Sequence, residues 1–345
     1  MHVKLTQKIA LKCEIDVFRN FLRMFYCNKS VLLLFFILIC VLNGQKIEAQ
    51  NEMQFGGYAN IPIVVNPGAA GKTGTWNAVG AFRKQWVGFS GAPQTTVLSI
   101  DGEVAFLKSF HGVGASVFHD KSGPLTLMNI NANYSYHIEL SKGQVGIGAR
   151  LGAINAAFKV SDLSATVDGA ETDYHQSSDA ALEGSDDSGT TFDIGVGGFY
   201  QSDKSYISLS LLHLNRPRIE LKSGTEIKAR PVLTFGSGYK MGSGQNNFEP
   251  RLFFKSDFAS WQLEMGGNVN VKNKVSFGMG YRLQDAIFFV FGINLSNGIY
   301  VGYGYDLCVS ELHRYNSGSH EVGISYTFNI DVEKRTKRYK SVRIL

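Results

Sequence analysis

The stretch Glu321-Val-Gly-Ile-Ser-Tyr-Thr-Phe-Asn-Ile330 alternates apolar and polar residues without interruption. Val322, Ile324, Tyr326, Phe328 and Ile330 take one side, and Glu321, Gly323, Ser325, Thr327 and Asn329 the other. A period of two gives each set its own face of a β-strand. The pattern recurs upstream. Ile130, Ala132, Tyr134, Tyr136 and Ile138 share a face, as do Val275, Phe277, Met279 and Tyr281 opposite Ser276, Gly278 and Gly280. Aromatic and aliphatic residues on one face, with Gly, Ser, Asn and charged residues on the other, suit a barrel whose outer wall touches lipid.

Fourteen strands are expected, at about 75–84, 94–104, 111–119, 127–139, 143–156, 190–201, 204–213, 232–241, 247–256, 260–271, 275–283, 286–295, 298–306 and 319–330. The strand at 286–295 fits least well, because Phe288 and Val290 fall with the polar set. Connections after even-numbered strands are short, as at Lys142-Gly143, Asp203-Lys204 and Lys272-Asn273-Lys274. The long ones, 157–189, 214–231 and 307–318, follow odd-numbered strands. Loops sorted by rim are the mark of an outer-membrane barrel with short periplasmic turns and longer extracellular loops. The fold class is therefore all-β, a transmembrane outer-membrane β-barrel of about 14 antiparallel strands. An even strand count returns both ends of the barrel to the periplasmic side.

The only strongly apolar block, Val31–Leu42, is 12 residues long. A spanning helix needs about 20. Lys29 precedes it and Ile47-Glu48-Ala49 follows, the order of a signal peptide over residues 1–49, for which Met24 makes a conventional start. Cys40 in its Leu38-Ile39 context is a poor lipid-anchor site. Residues 50–74 read as a periplasmic lead-in, 75–330 as the barrel, and 331–345 as a basic periplasmic tail. Removing 1–49 leaves 27 Lys/Arg against 26 Asp/Glu, which takes away any electrostatic case for nucleic acid. Cys13, Cys27 and Cys40 go with the leader, so Cys308 has no disulfide partner within the remainder.

Little in the sequence points to catalysis. Gly71-Lys72-Thr73 imitates a phosphate loop, but Asn66 stands where its first glycine must be. His119-Asp120 and His320-Glu321 are adjacent on strands, so each pair points two ways and makes a poor dyad. A hydrolase using His119-Asp120 with a serine is the weakest of the functions considered. Histidines are scattered singly, which disfavours zinc, and no cofactor is indicated. Loop 160–188 lacks Lys and Arg but holds eight acids, among them Asp162, Asp173 and Asp187. It reads as a solvated cell-surface loop, or as a docking surface for a basic partner or a weak divalent-cation site. The tail is a solubilising terminus or a contact for an acidic partner. Arg150, Lys255, Glu264, Arg282 and Asp306 belong to polar faces suited to a lumen, where opposite charges pair and fill the bore.

Several strings resemble one family, the PorP/SprF outer-membrane proteins of the type IX secretion system of Bacteroidetes. They are Asn66-Pro67, Gln85-Trp86-Val87-Gly88, Gly91-Ala92-Pro93-Gln94 and Asp120-Lys121-x-Gly123-Pro124. Tyr281-Arg282-x-x-Asp285-Ala286, Gly302-Tyr303-x-Tyr305-Asp306 and Tyr315-Asn316-Ser317-Gly318-Ser319-His320-Glu321 complete the series. Glu321-x-Gly323-x-x-Tyr326-x-Phe328 is similar to a terminal-strand assembly signal, although this chain continues past it. The resemblance implies a secretion accessory rather than an enzyme. Its partners would be a cognate secreted surface protein or adhesin, tied in some members to gliding motility, other type IX secretion components, and outer-membrane lipid. The alternative is a general porin or small-solute channel. Partner-binding or rim positions would be Trp86, Pro93, Asp120, Asp285, Asp306, Tyr315, Asn316, His320 and Glu321. The same residues would equally serve rim packing and turn chemistry.

Overall fold

The computed structural model describes residues 54–56, 61–106, 109–159, 186–242, 245–295 and 297–329. The expected signal peptide, most of the acidic loop and the C-terminal basic segment lie outside the described residues. The first half of the sheet comprises β1 (Trp76–Lys84), β2 (Gln94–Phe106), β3 (Ser109–Ser122), β4 (Leu125–Leu140), β5 (Gly143–Phe158), β6 (Asp187–Gln201) and β7 (Ser205–Leu212). A short hairpin follows, β8 (Arg218–Glu220) with β9 (Glu226–Lys228). The second half is β10 (Val232–Tyr239), β11 (Asn247–Ser256), β12 (Trp261–Val271), β13 (Val275–Arg282), β14 (Ala286–Asn294), β15 (Ile299–Cys308) and β16 (Ser319–Phe328).

Each strand pairs antiparallel with the next, β7 pairs β10 across the hairpin, and β1 pairs β16 to close a 14-stranded barrel. Closure removes every sheet edge, the condition for β-structure in hydrocarbon. The closing seam runs from Trp76↔Phe328 to Lys84↔His320. At the first end lie the short turns. One of them has Lys272 and Asn273 both at φ 52°, the left-handed pair that matches strand twist in a tight hairpin. The long loops crown the other end. Strands β2–β6 have 13–16 residues, against 8–11 in β10–β16, where β16 has 10. About 9–11 suffice to span hydrocarbon. That wall is therefore longer than a span requires.

The two faces separate as the alternation requires. Val322, Ile324 and Tyr326 are 46–53% exposed on the outside, while Arg83, Arg150, Arg282 and Asp306 are buried within. An apolar exterior this continuous is the signature of a surface made for lipid rather than water. Phe288 points inward for a local reason. Its ring lies 5.8 Å from the Arg282 guanidinium and backs onto Gly56.

The hydrophobic core is inside the bore. Phe55, Ile61, Ile63 and Val64, all at most 2% exposed, pack on the inward Val79, Ala81, Val97 and Phe118. Burying each such side chain contributes roughly 1.5–3 kcal/mol. The sequence reading gave residues 50–74 as a periplasmic lead-in; the structure holds residues 61–74 inside the bore. A helical turn, α1 (Pro62–Val65), and a 3-10 turn (Pro67–Ala69) give this plug its shape, each opened by a proline that fixes φ where no N–H is needed.

Candidate functional site

Asn66 is fully buried and joins the plug to the wall. Its Nδ2 donates to Ser208 Oγ at 2.8 Å and to the Gly198 carbonyl at 2.9 Å, while its Oδ1 accepts from Gly68 N at 2.8 Å. Arg150 Nη2 donates to the carbonyls of Ile63 and Val64, each at 2.6 Å, and its Nε to Asn133 Oδ1 at 2.9 Å. Ser135 Oγ donates to the Gly68 carbonyl, His137 Nε2 to that of Ala70, and the Gln201 amide to that of Lys72. Asp101 accepts from Gly71 N at 2.9 Å. The barrel's inner face thus supplies the partners that a plug with little regular structure cannot supply for itself, as buried backbone requires. Glycines make the approach close enough. A Cβ on Gly112 would overlap the Ala70 carbonyl oxygen, and one on Gly146 that of Gly68.

The opposite wall holds a buried charge network. Asp306 accepts from Arg83 at 2.6 Å and from Arg282 at 2.8 Å; Arg282 also reaches Glu264 at 2.9 Å and Asp285 at 3.2 Å. Glu321 lies 3.5 Å from Arg83 and accepts from Gly56 N at 2.9 Å, which ties the start of the plug to this network. Gln85 Nε2 donates to Gln54 Oε1 at 3.0 Å. Gln54 is therefore at the long-loop rim and Trp76 at the short-turn rim, with the described residues 61–74 held inside the bore. Beside them a cavity of about 290 Å³ remains against Glu249, Arg251 and Asn268.

The long-loop rim is laced across the seam. Val87 N donates to the Gly318 carbonyl (2.8 Å) and Ser317 N to that of Val87 (2.7 Å). Gly123 N donates to the Gly91 carbonyl at 2.9 Å, which extends the lacing to the β3–β4 turn. The hairpin β8–β9 closes the mouth elsewhere, with Ile219 buried on the inward Ile154 and Ala156 of the tall wall.

Residues 47–326 match the family model of the type IX secretion system membrane protein PorP/SprF. The chain belongs to that family. A PorP/SprF assignment and a closed strand barrel agree on a membrane component of secretion. Comparison with curated proteins finds no match. Solved structures to which the chain is similar include the toluene transporter TbuX of Ralstonia pickettii, at 10% identity and TM-score 0.45, over 78% of this chain and 93% of that one. The CymD monoaromatic hydrocarbon channel matches at 11% identity and TM-score 0.45, over 82% and 95%. The translocator domain of the autotransporter NalP of Neisseria meningitidis matches at 10% and 0.40, over 74% and 88%.

The PorP/SprF-like strings converge on the long-loop rim, with Asn66-Pro67 as the exception inside. Trp86, at φ 43°, donates its N–H to Ser319 Oγ, and the Pro93 carbonyl accepts from Gln85 N. Asp120 accepts from Thr95 Oγ1 and Ser122 Oγ. Asn316 binds the Leu312 carbonyl and Gly318 N, shaping the loop that leaves Tyr315 70% exposed. His320 faces outward to the Tyr303 hydroxyl at 2.7 Å, whereas Glu321 and Asp306 face the bore. His119 is likewise outside and Asp120 inside. Trp86, Asp285, Asp306, Tyr315, Asn316, His320 and Glu321 gather near the seam, and Pro93 and Asp120 lie farther round. Sequence reasoning did not select Asn66, Arg83 or His137 as site residues. The run Ile61–Ala70, apolar without a strand period and broken by two prolines, is the signal that marks the plug.

Proposed function

We propose that this PorP/SprF family member sits in the outer membrane with its long-loop rim outward and holds or helps export a cognate secreted surface protein, acting as an anchoring barrel rather than an open pore. The observation that carries this reading is the filled bore. A pore has no use for a segment pinned by buried hydrogen bonds along its length, whereas an anchor needs a rigid rim. The laced loops 85–93 and 309–318, with Tyr315 exposed between them, form such a rim on the seam side. Affinity purification followed by mass spectrometry tests it: a secreted surface protein and other type IX components should co-purify, and Tyr315→Ala with Trp86→Ala should reduce the yield of the client. A deletion strain whose surface and secreted proteins are all unchanged would refute the reading.

A small-solute channel is the second reading, favoured by the cavity beside the plug. Planar bilayers separate the two, because steady large conductance of the intact protein belongs only to the channel.

A further inference from the structure

The outward row Ile207, Leu209, Leu211 climbs β7 and ends at Leu214 on the long-loop rim. Just above it the chain changes character. Arg216, Arg218, Lys228 and Arg230 line an open groove of about 660 Å³ together with the apolar Leu211, Leu214 and Phe258. The Arg218 and Lys228 side chains are 68% and 62% exposed, and Phe258 is 66% exposed. Glu226, paired to both Arg218 and Lys228, Glu220 opposite it on the same hairpin face, and Asp257 are the acids near these cations, so positive charge exceeds negative by one. Arg216 and Phe258, both in the groove's lining, are held at φ 47° and 66°, left-handed conformations that carry a backbone cost.

We infer that this groove binds a phosphorylated glycolipid of the outer leaflet, an acyl chain lying on Leu211 and Leu214 and its phosphates among Arg216, Arg218 and Lys228. An apolar bed crowned by basic side chains matches such a molecule at both ends, where a soluble phosphate would use only one. Guanidinium groups fit phosphate oxygens two at a time, which suits Arg216 and Arg218 to the task, and Lys228 adds a point charge. The inference rests on the outward orientation of the long-loop rim. It gives the hairpin β8–β9 a second role, because the strand that buries Ile219 in the mouth presents Arg218 to the lipid.

The test uses the full barrel in detergent, bisphosphorylated lipid A as probe, and native mass spectrometry as readout. Each cation contributes about fivefold to binding of an anionic headgroup, so Arg216→Gln, Arg218→Gln and Lys228→Gln together should weaken it about 100-fold. Glu226→Gln should tighten it, since it frees Arg218 and Lys228 from their acid. Retained binding in the triple variant, or equal binding of dephosphorylated lipid A, would overturn the inference. So would full competition by inorganic phosphate alone. Heat-dependent gel mobility verifies that each variant is a folded barrel. Orientation is read separately, by labelling Lys222→Cys on intact cells with an impermeant maleimide. Lipid binding without surface labelling would sink the outward-rim proposal and leave the groove's chemistry standing; labelling without binding would do the reverse.

Discussion

Replacing Asn66 by alanine isolates the plug from the wall that surrounds it. The substitution removes the bonds to Ser208 Oγ and the Gly198 carbonyl and the one from Gly68 N. Each is worth about 0.5–1.5 kcal/mol net, and the groups left buried without partners add a desolvation cost of about 1–3 kcal/mol each. Water admitted by the missing side chain recovers part of this, so roughly 3–4 kcal/mol of docking energy is lost. Because every 1.4 kcal/mol is tenfold, the undocked population rises on the order of 100- to 1000-fold. The strand ladder does not include Asn66, so heat-dependent gel mobility should stay close to the parent's. The assay pairs single-channel recording with thiol labelling of Ala70→Cys, a position with no exposed surface when docked. Openings and labelling should both increase in the Asn66→Ala background. Unchanged labelling and conductance in a folded barrel would refute the idea that these bonds hold the plug.

Other outcomes are equally concrete. Asp306→Asn leaves Arg83 and Arg282 sharing a neutral partner; breaking a buried ion pair costs about 3–5 kcal/mol, so the barrel should unfold on heated gels at lower temperature. Gly146→Val puts a side chain where the Gly68 carbonyl sits and should expose Ala70→Cys to labelling more than Asn66→Ala does. Asp257, in the β11–β12 turn, is held below its ordinary range: burial pushes it up, but the N–H groups of Ser260 and Ala259, the Ser260 hydroxyl and Arg230 together pull it down. A depressed carboxyl stabilises the turn above its unfolded value, about pH 3.9, and that contribution fades as pH falls through the folded value. Amide exchange at Ala259 and Ser260 should accelerate only in acid, and Asp257→Asn should abolish that acid dependence.

The barrel was legible because lipid outside and polar groups inside force a period of two on every strand. All fourteen expected strands coincide with the fourteen of the sheet, their ends differing by a few residues. The hairpin β8–β9 was not legible: Arg218-Ile219-Glu220 and Glu226-Ile227-Lys228 are too short to reveal a period. Phe288 looked misplaced because its inward partners, Arg282 and Gly56, are remote in sequence. The pairing of Arg282 with Glu264 and Asp306 followed from their shared polar face, as did the opposed directions of His119 and Asp120. The plug's destination was hidden for another reason. Its docking depends on glycines such as Gly112 and Gly146, and in a strand a glycine reads the same whether it makes room for a turn, a ring or another backbone.

The plug leads directly into β1, and β1 is one half of the closing seam. A cork fitted after the bottle is finished can be drawn again, but this one is continuous with a stave. A plug that loosens therefore stays leashed to the closing seam at Trp76, so it never leaves the neighbourhood of its seat and release is a local, reversible event rather than a loss.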